Sequence, residues 1–116
     1  MPRGLAKALR DRGVTATAFP NDWKQLSDGD LLDLAETEGY EILITNDKNL
    51  PFQQPLARRR LAVLVLASAD RKLTEAMADA ISGIIESLSP ARAFLLREDG
   101  ILIADFGPSS PAPGVL

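Results

Sequence analysis

The stretch EILITNDKNLP, residues 41–51, carries an apolar run of Ile42, Leu43 and Ile44 into a dense polar cluster of Thr45, Asn46, Asp47, Lys48 and Asn49. An acid at the end of an apolar strand has two readings. Asn and Asp hydrogen-bond the local backbone and tolerate turn geometry, so the cluster can be a turn. Ligands of open α/β sheets bind beyond the carboxyl ends of the strands, so it can equally be the lip of a site. A second acid, Asp28, opens the segment SDGDLLDLAETEG. At about 100° per residue, Leu31, Leu32, Leu34 and Ala35 define one helical face, and Asp28 stands one turn ahead on that face. Asp30, Asp33 and Glu36 fall on the opposite side, where they serve solvent and the cap. Asp28 either supports the helix start or belongs to a site.

A strand that follows a helix across a short connection runs back beside it, so the carboxyl end of the strand and the amino end of the helix share one sheet edge. That arrangement brings Asp28 and Asp47 toward one acidic pocket, with Thr45 and Asn46 beside them. Converging carboxylates are what a magnesium-type ion needs, because it takes oxygen ligands and keeps several waters. Such an ion activates water and stabilises a phosphodiester in displacement. Lys48 and the run Arg58, Arg59 and Arg60 are placed to hold phosphate, which suits the forked donors of arginine. Arginines flanking a buried strand also serve solubility alone. Phe52, Gln53 and Gln54 carry a weak base-contacting signal, and Phe52 is expected in the core.

Composition narrows the chemistry by exclusion. The chain of 116 residues suits a single domain with one core. It contains no Cys and no His, which excludes a disulfide framework, a Cys/His zinc site, a Ser-His-Asp triad and a Cys nucleophile. Oxygen-ligated hard ions such as magnesium or manganese are the metals left. A formal charge of −3 argues against a generally basic nucleic-acid-binding surface, though a local patch can still steer a polyanion. There is no apolar run of about 18 residues, and MPRGLAKALR lacks the apolar centre of a secretion signal, so the expectation is a cytoplasmic protein without a membrane span.

The elements that must position these residues follow from periodicity. Residues 3–12 form a short basic amphipathic helix closed by Gly13, and VTATAF (14–19) has strand propensity before an irregular surface loop around Trp23. Ser27 and Asp30 suggest a capping box, and Gly39 is placed to end the helix they open. Residues 41–45 form a strand, LPFQQPLARRR is irregular or one helical turn, and LAVLVLA (61–67) is a strand covered on both faces near the sheet centre. Apolar residues at 73, 77, 80, 81, 84, 85 and 88 predict one long helix over 72–88. AFLLREDGILIADF predicts a hairpin turning at Asp99-Gly100, and GPSSPAPGVL a flexible tail over 107–116. The alternation implies α/β layering with a largely parallel sheet.

The pattern of an Asp opening a helix, Ala seven residues on, and an apolar strand ending in Thr-x-Asp stands here as Asp28, Ala35, Thr45 and Asp47. With NLPFQQPLARRRLAVLVL and the opening PRGLAKALRDRG, it resembles the PIN-domain superfamily of metal-dependent nucleases, in particular its small PIN-like toxin branch from prokaryotes. The resemblance covers roughly residues 2–70. It implies an α/β three-layer sandwich with a mostly parallel central sheet, a PIN-like domain over 1–106, and acids that bind Mg2+ or Mn2+ for cleavage of RNA. Carried over by position, Asp28 and Asp47 are metal ligands and catalytic, Thr45 supports the site, and Asp30 is an auxiliary acid. Many relatives are toxins neutralised by a small antitoxin protein, and homodimers are common.

Relatives have a strand ending in Asp-Glu-Asn before the Pro-Arg that stands here at Pro2-Arg3. The chain as given starts at Met1, so that strand and its acid are not in it, through truncation or degeneration. Two functions are therefore carried forward: a metal-dependent ribonuclease, and a non-catalytic relative that binds an antitoxin or regulatory protein. A phosphate-accepting domain of response-regulator type also places an Asp at a strand end, but the chain lacks the expected downstream Lys.

Overall fold

The computed structural model describes residues 3–18, 25–54, 56, 59–68 and 70–106. The chain runs α1 (Arg3–Asp11), α2 (Asp28–Thr37), β1 (Ile42–Thr45), α3 (Leu50–Gln53), β2 (Ala62–Leu66), α4 (Arg71–Ala76), α5 (Ala78–Ile84), a 3-10 turn (Ile85–Ser87), β3 (Ala93–Leu96) and β4 (Leu102–Ala104). The four strands lie in one open sheet in the order β1-β2-β3-β4. β1 and β2 are parallel with Ile42 opposite Ala62, and β2 and β3 are parallel with Val63 opposite Ala93. β4 closes the sheet antiparallel to β3 with Leu96 opposite Leu102. The tail from residue 107 and the loop around Trp23 lie outside the described residues.

β2 organises the core because every one of its side chains is buried. Ala62, Leu64 and Leu66 enter one apolar cluster with Leu5 and Leu9 of α1 and Ala78 and Ile81 of α5. Leu61, Val63 and Val65 enter a second cluster with Leu32 and Ala35 of α2 and Leu50 of α3. Successive side chains of a strand point to opposite faces, so a run with no polar member must be covered on both. Its place between β1 and β3 is the expected one.

Helices α1 and α2 end by the same device. Gly13 has φ +84° and donates to the Arg10 carbonyl at 3.0 Å, while Val14 N–H reaches the Leu9 carbonyl at 3.0 Å. Gly39 has φ +85°, with matching bonds from Gly39 to Glu36 and from Tyr40 to Ala35, both 3.0 Å. This is the glycine-ended cap that satisfies the last carbonyls and turns the chain sharply. At the other end of α2, Ser27 Oγ accepts from the Asp30 N–H at 3.3 Å. The short turn after Gly39 delivers the chain directly into β1.

Three expectations about elements need correction. Residues 14–18 are outside any strand, although their burial alternates as a strand's would: Ala16 is buried, Val14 and Ala18 are half-buried, and Thr15 and Thr17 are exposed. The segment has the pattern of a strand and no neighbour close enough to form a ladder. The single helix expected over 72–88 is α4, α5 and a 3-10 turn, interrupted at Met77, whose ψ is 0°. There the Met77 N–H is shared between the carbonyls of Leu73 at 3.1 Å and Thr74 at 3.2 Å. The apolar spacing marked a face but not continuity: Met77 and Ile81 are buried, whereas Ala80 is exposed and Thr74 is buried instead. Finally, Phe52 is 54% exposed rather than in the core, and its ring meets Phe106 edge-on with centroids 5.4 Å apart. The hairpin forms at the expected place, with Gly100 at φ +87° and the Ile101 N–H donating to Asp99 Oδ1 at 3.1 Å.

Open space surrounds a side chain added at Gly39, so its replacement tests backbone conformation alone. Gly39→Ala is expected to cost about 1–2 kcal/mol, read as a lower urea midpoint with an unchanged slope. A second test concerns the seam between α1 and α5, where the Arg12 guanidinium donates to the Asp79 carboxylate. That hydrogen bond, reinforced by the charge of Arg12, holds Asp79 below its ordinary value of 3.8. A carboxylate with a lowered folded pKa stabilises the fold above its unfolded pKa and loses that contribution as pH falls through the folded value. Acid unfolding followed by circular dichroism should therefore be shallower for Asp79→Asn than for the parent below pH 3.8.

Candidate functional site

The carboxyl end of β1 is shaped by its own side chains. Thr45 Oγ1 accepts from the Asp47 N–H at 3.1 Å, and Asp47 Oδ1 accepts from the Asn49 N–H at 2.9 Å. These two bonds fold residues 45–49 back on themselves before Leu50 starts α3, which is the turn chemistry of Thr and Asp. Asp47 therefore performs the turn role with one oxygen. Its Oδ2 meets no protein donor among the described residues, and the side chain is half-buried. Asn46 and Lys48 are exposed on the same turn.

The amino end of α2 lies at this edge. Gln54, which ends α3, places its Oε1 3.3 Å from the position a Cβ would occupy on Gly29. The helix that follows β1 thus meets the first turn of the helix that precedes it. Asp28 is half-buried in that first turn and Asp30 is exposed. Asp28 has no protein hydrogen-bond donor among the described residues, so its carboxylate is open to other ligands. Here the sheet edge collects Asp28, Asp47 and the amide groups of Asn46 and Gln54, all of them oxygen donors. Among the described residues no group of three or more acidic side chains stands close enough to hold a metal ion.

The basic residues are distributed differently. Arg59 Nη1 donates to Asp33 Oδ1 at 2.7 Å and to Glu36 Oε1 at 2.9 Å, tying the segment before β2 to the flank of α2. The Arg60 N–H adds a longer contact to Glu36 Oε2 at 3.4 Å. Burial opposes the charge on Arg59, and the bonds to Asp33 and Glu36 outweigh it, so its pKa is raised. Glu36 is consequently an ion-pair residue with its side chain 17% exposed, not one of the solvated acids the helical angle suggested. Arg60 and Lys48 are exposed, and Arg58 lies outside the described residues.

A second feature lies at the opposite side of β1, and residue spacing gave no sign of it. A cavity of about 430 Å³ separates β1 from the unpaired segment 14–18. Val14, Ala16 and Ala18 form one wall and Ile42, Leu43 and Ile44 the other. Leu9 of α1 and Ala35 of α2, which belong to different core clusters, also line it. The sign available in the sequence was the alternation of VTATA, a strand pattern that needed a partner.

No family model, curated protein or solved structure matches the chain.

The ion pair over α2 supplies the test of this region. Both Arg59 and Glu36 are partly shielded, so their coupling should exceed that of an exposed pair. A double-mutant cycle on Arg59→Met and Glu36→Gln is expected to give a coupling of about 1–2 kcal/mol, falling little in high salt. A coupling indistinguishable from zero would return Arg59 to the pool of phosphate-binding candidates.

Proposed function

We propose that the chain is a Mg2+- or Mn2+-dependent ribonuclease of the PIN-like toxin type, acting in the cytoplasm, with Asp28 and Asp47 as the metal ligands. The observation that carries this reading is the meeting of Gln54 with Gly29, which puts the start of α2 at the edge where β1 ends. Two separately encoded acids then share one edge, each with carboxylate oxygen uncommitted to protein donors among the described residues. The apolar clusters against the two faces of β2 are in keeping with the three-layer arrangement of that family.

The donor set fits a hard divalent ion. Mg2+ is held by one or two carboxylates together with water and substrate phosphates, and asks for no all-protein cage. When bound, the ion supplies a water acidic enough to attack a phosphodiester and neutralises charge on the phosphate. The protein's part is positioning. Thr45 and Asn49 hold the Asp47 turn, so that Oδ1 is fixed and Oδ2 is directed outward by default. Asp28 brings a negative charge to a helix amino end, where the helix dipole favours the ionised form. Lys48 and Arg60 are the exposed cations available to phosphate oxygens, with Arg58 as a further candidate and Arg59 engaged mainly with α2. Asp30, its N–H on Ser27 and its side chain in solvent, is an auxiliary acid at most. An antitoxin protein and a second copy of the chain are the partners this reading expects.

A non-catalytic interaction module is the second reading, favoured by the absence of a third acid beside the pair among the described residues. Cleavage of a fluorogenic single-stranded RNA separates the two. The ribonuclease reading expects turnover that requires Mg2+ or Mn2+, stops with excess EDTA, and falls about 100-fold or more in Asp47→Asn. Turnover that survives either treatment overturns it. Titration calorimetry showing no Mn2+ binding to the parent protein would favour the interaction module.

A further inference from the structure

We propose that the gap beside β1 is a slot for one added β-strand, and that its occupant is an apolar peptide segment of a partner protein with basic residues at one end. The proposal stands apart from the acidic edge and from catalysis.

Both long walls of the gap are strand-like backbone without a ladder partner. In the parallel pair, the Ala62 N–H donates to the Glu41 carbonyl at 2.9 Å. Because bonding alternates along a parallel strand, Leu43 and Thr45 turn toward β2, while Ile42 and Ile44 turn their N–H and C=O toward the gap. Among the described residues they find no backbone partner there. Across the gap, Val14, Ala16 and Ala18 face inward with the alternation of a strand. The Ala16 carbonyl accepts from Arg10 Nη1 at 2.9 Å, which anchors this wall to α1.

Free sheet edges recruit extended chain, with backbone bonds giving affinity and the lining giving selectivity. Leu9 on one side and Ala35 on the other make the lining apolar above and below the sheet plane. A lone strand fits between those helices. The edge of a second copy, carrying its own α1 and α2, does not.

Charge selects the same occupant. The only charged side chains in the lining are Glu41 and Glu86, both exposed. Glu41 immediately precedes β1 and Glu86 lies in the turn that leads to β3, so both stand at the amino end of the parallel strands. A second copy would present the same acids to them, whereas Lys or Arg on a partner strand would be attracted.

The test uses the full chain and a fluorescein-labelled peptide, Lys-Lys-Val-Thr-Val-Ile-Val, with its reversed order as a second probe. Fluorescence anisotropy should show saturable binding of at least one order. The amide signals of Ile42 and Ile44 should shift and exchange more slowly with solvent. Glu41→Lys combined with Glu86→Lys should weaken binding about tenfold and favour a Glu-Glu-flanked version of the same peptide. Asp47→Asn should leave peptide binding intact, which keeps this result independent of the ribonuclease reading. No binding at millimolar peptide, Ile42 and Ile44 amides indifferent to it, or a dimer already protecting those amides in the free protein would each overturn the proposal.

Discussion

The structure depends on the burial of β2 on both faces. A strand with no polar member cannot be left against water on either side, so its neighbours must supply two separate apolar surfaces. Ala62, Leu64 and Leu66 require α1 and α5; Leu61, Val63 and Val65 require α2 and α3. At about 25 cal/mol per Å² of apolar surface removed from water, these contacts are the main force that holds helices distant in sequence against one sheet. Everything polar in the molecule is arranged around that demand.

One consequence is the acidic edge. Once α2 packs its Leu32 and Ala35 over β2, and β1 follows it across Gly39, the start of the helix and the end of the strand are forced to the same side. Asp28 and Asp47 are brought there by apolar packing that involves neither of them. Arg59 strengthens the arrangement by clasping Asp33 and Glu36 from the segment that leads into β2. A group that sequence spacing nominates for phosphate has become a fastener between a helix and the central strand. The local bonds of Thr45, Asp47 and Asn49 then set the shape of the turn itself.

The other consequence is an edge that the packing leaves open. β1 pairs with β2 on one side only, and the segment 14–18, alternating but unpaired, stands off from its other side across an apolar cavity. Exposed strand edges are normally blunted by charge, proline or a bulge. Here the flanking α1 and α2 shield the gap above and below, and Glu41 and Glu86 guard one end. Such an edge is protected against broad sheet-to-sheet association while it stays accessible to a single extended chain.

Much of the fold was legible in the residues themselves. Gly13 and Gly39 marked helix ends because a chain that must adopt positive φ favours glycine, and the uninterrupted LAVLVLA marked the sheet centre because burial on two faces leaves no room for polar residues. Asp99-Gly100 located the hairpin, and the lack of Cys and His confined any metal chemistry to oxygen ligands. These are local or compositional properties, which the chain carries wherever it goes. Tertiary structure decided the rest: that Arg59 turns to α2, that the helix breaks at Met77, that Phe52 meets Phe106 at the surface, and that the strand-like VTATA lacks a partner. Periodicity reports which face of an element is apolar, but ion pairs, helix breaks and strand ladders depend on what stands opposite. That neighbour is set by packing between residues far apart in the chain.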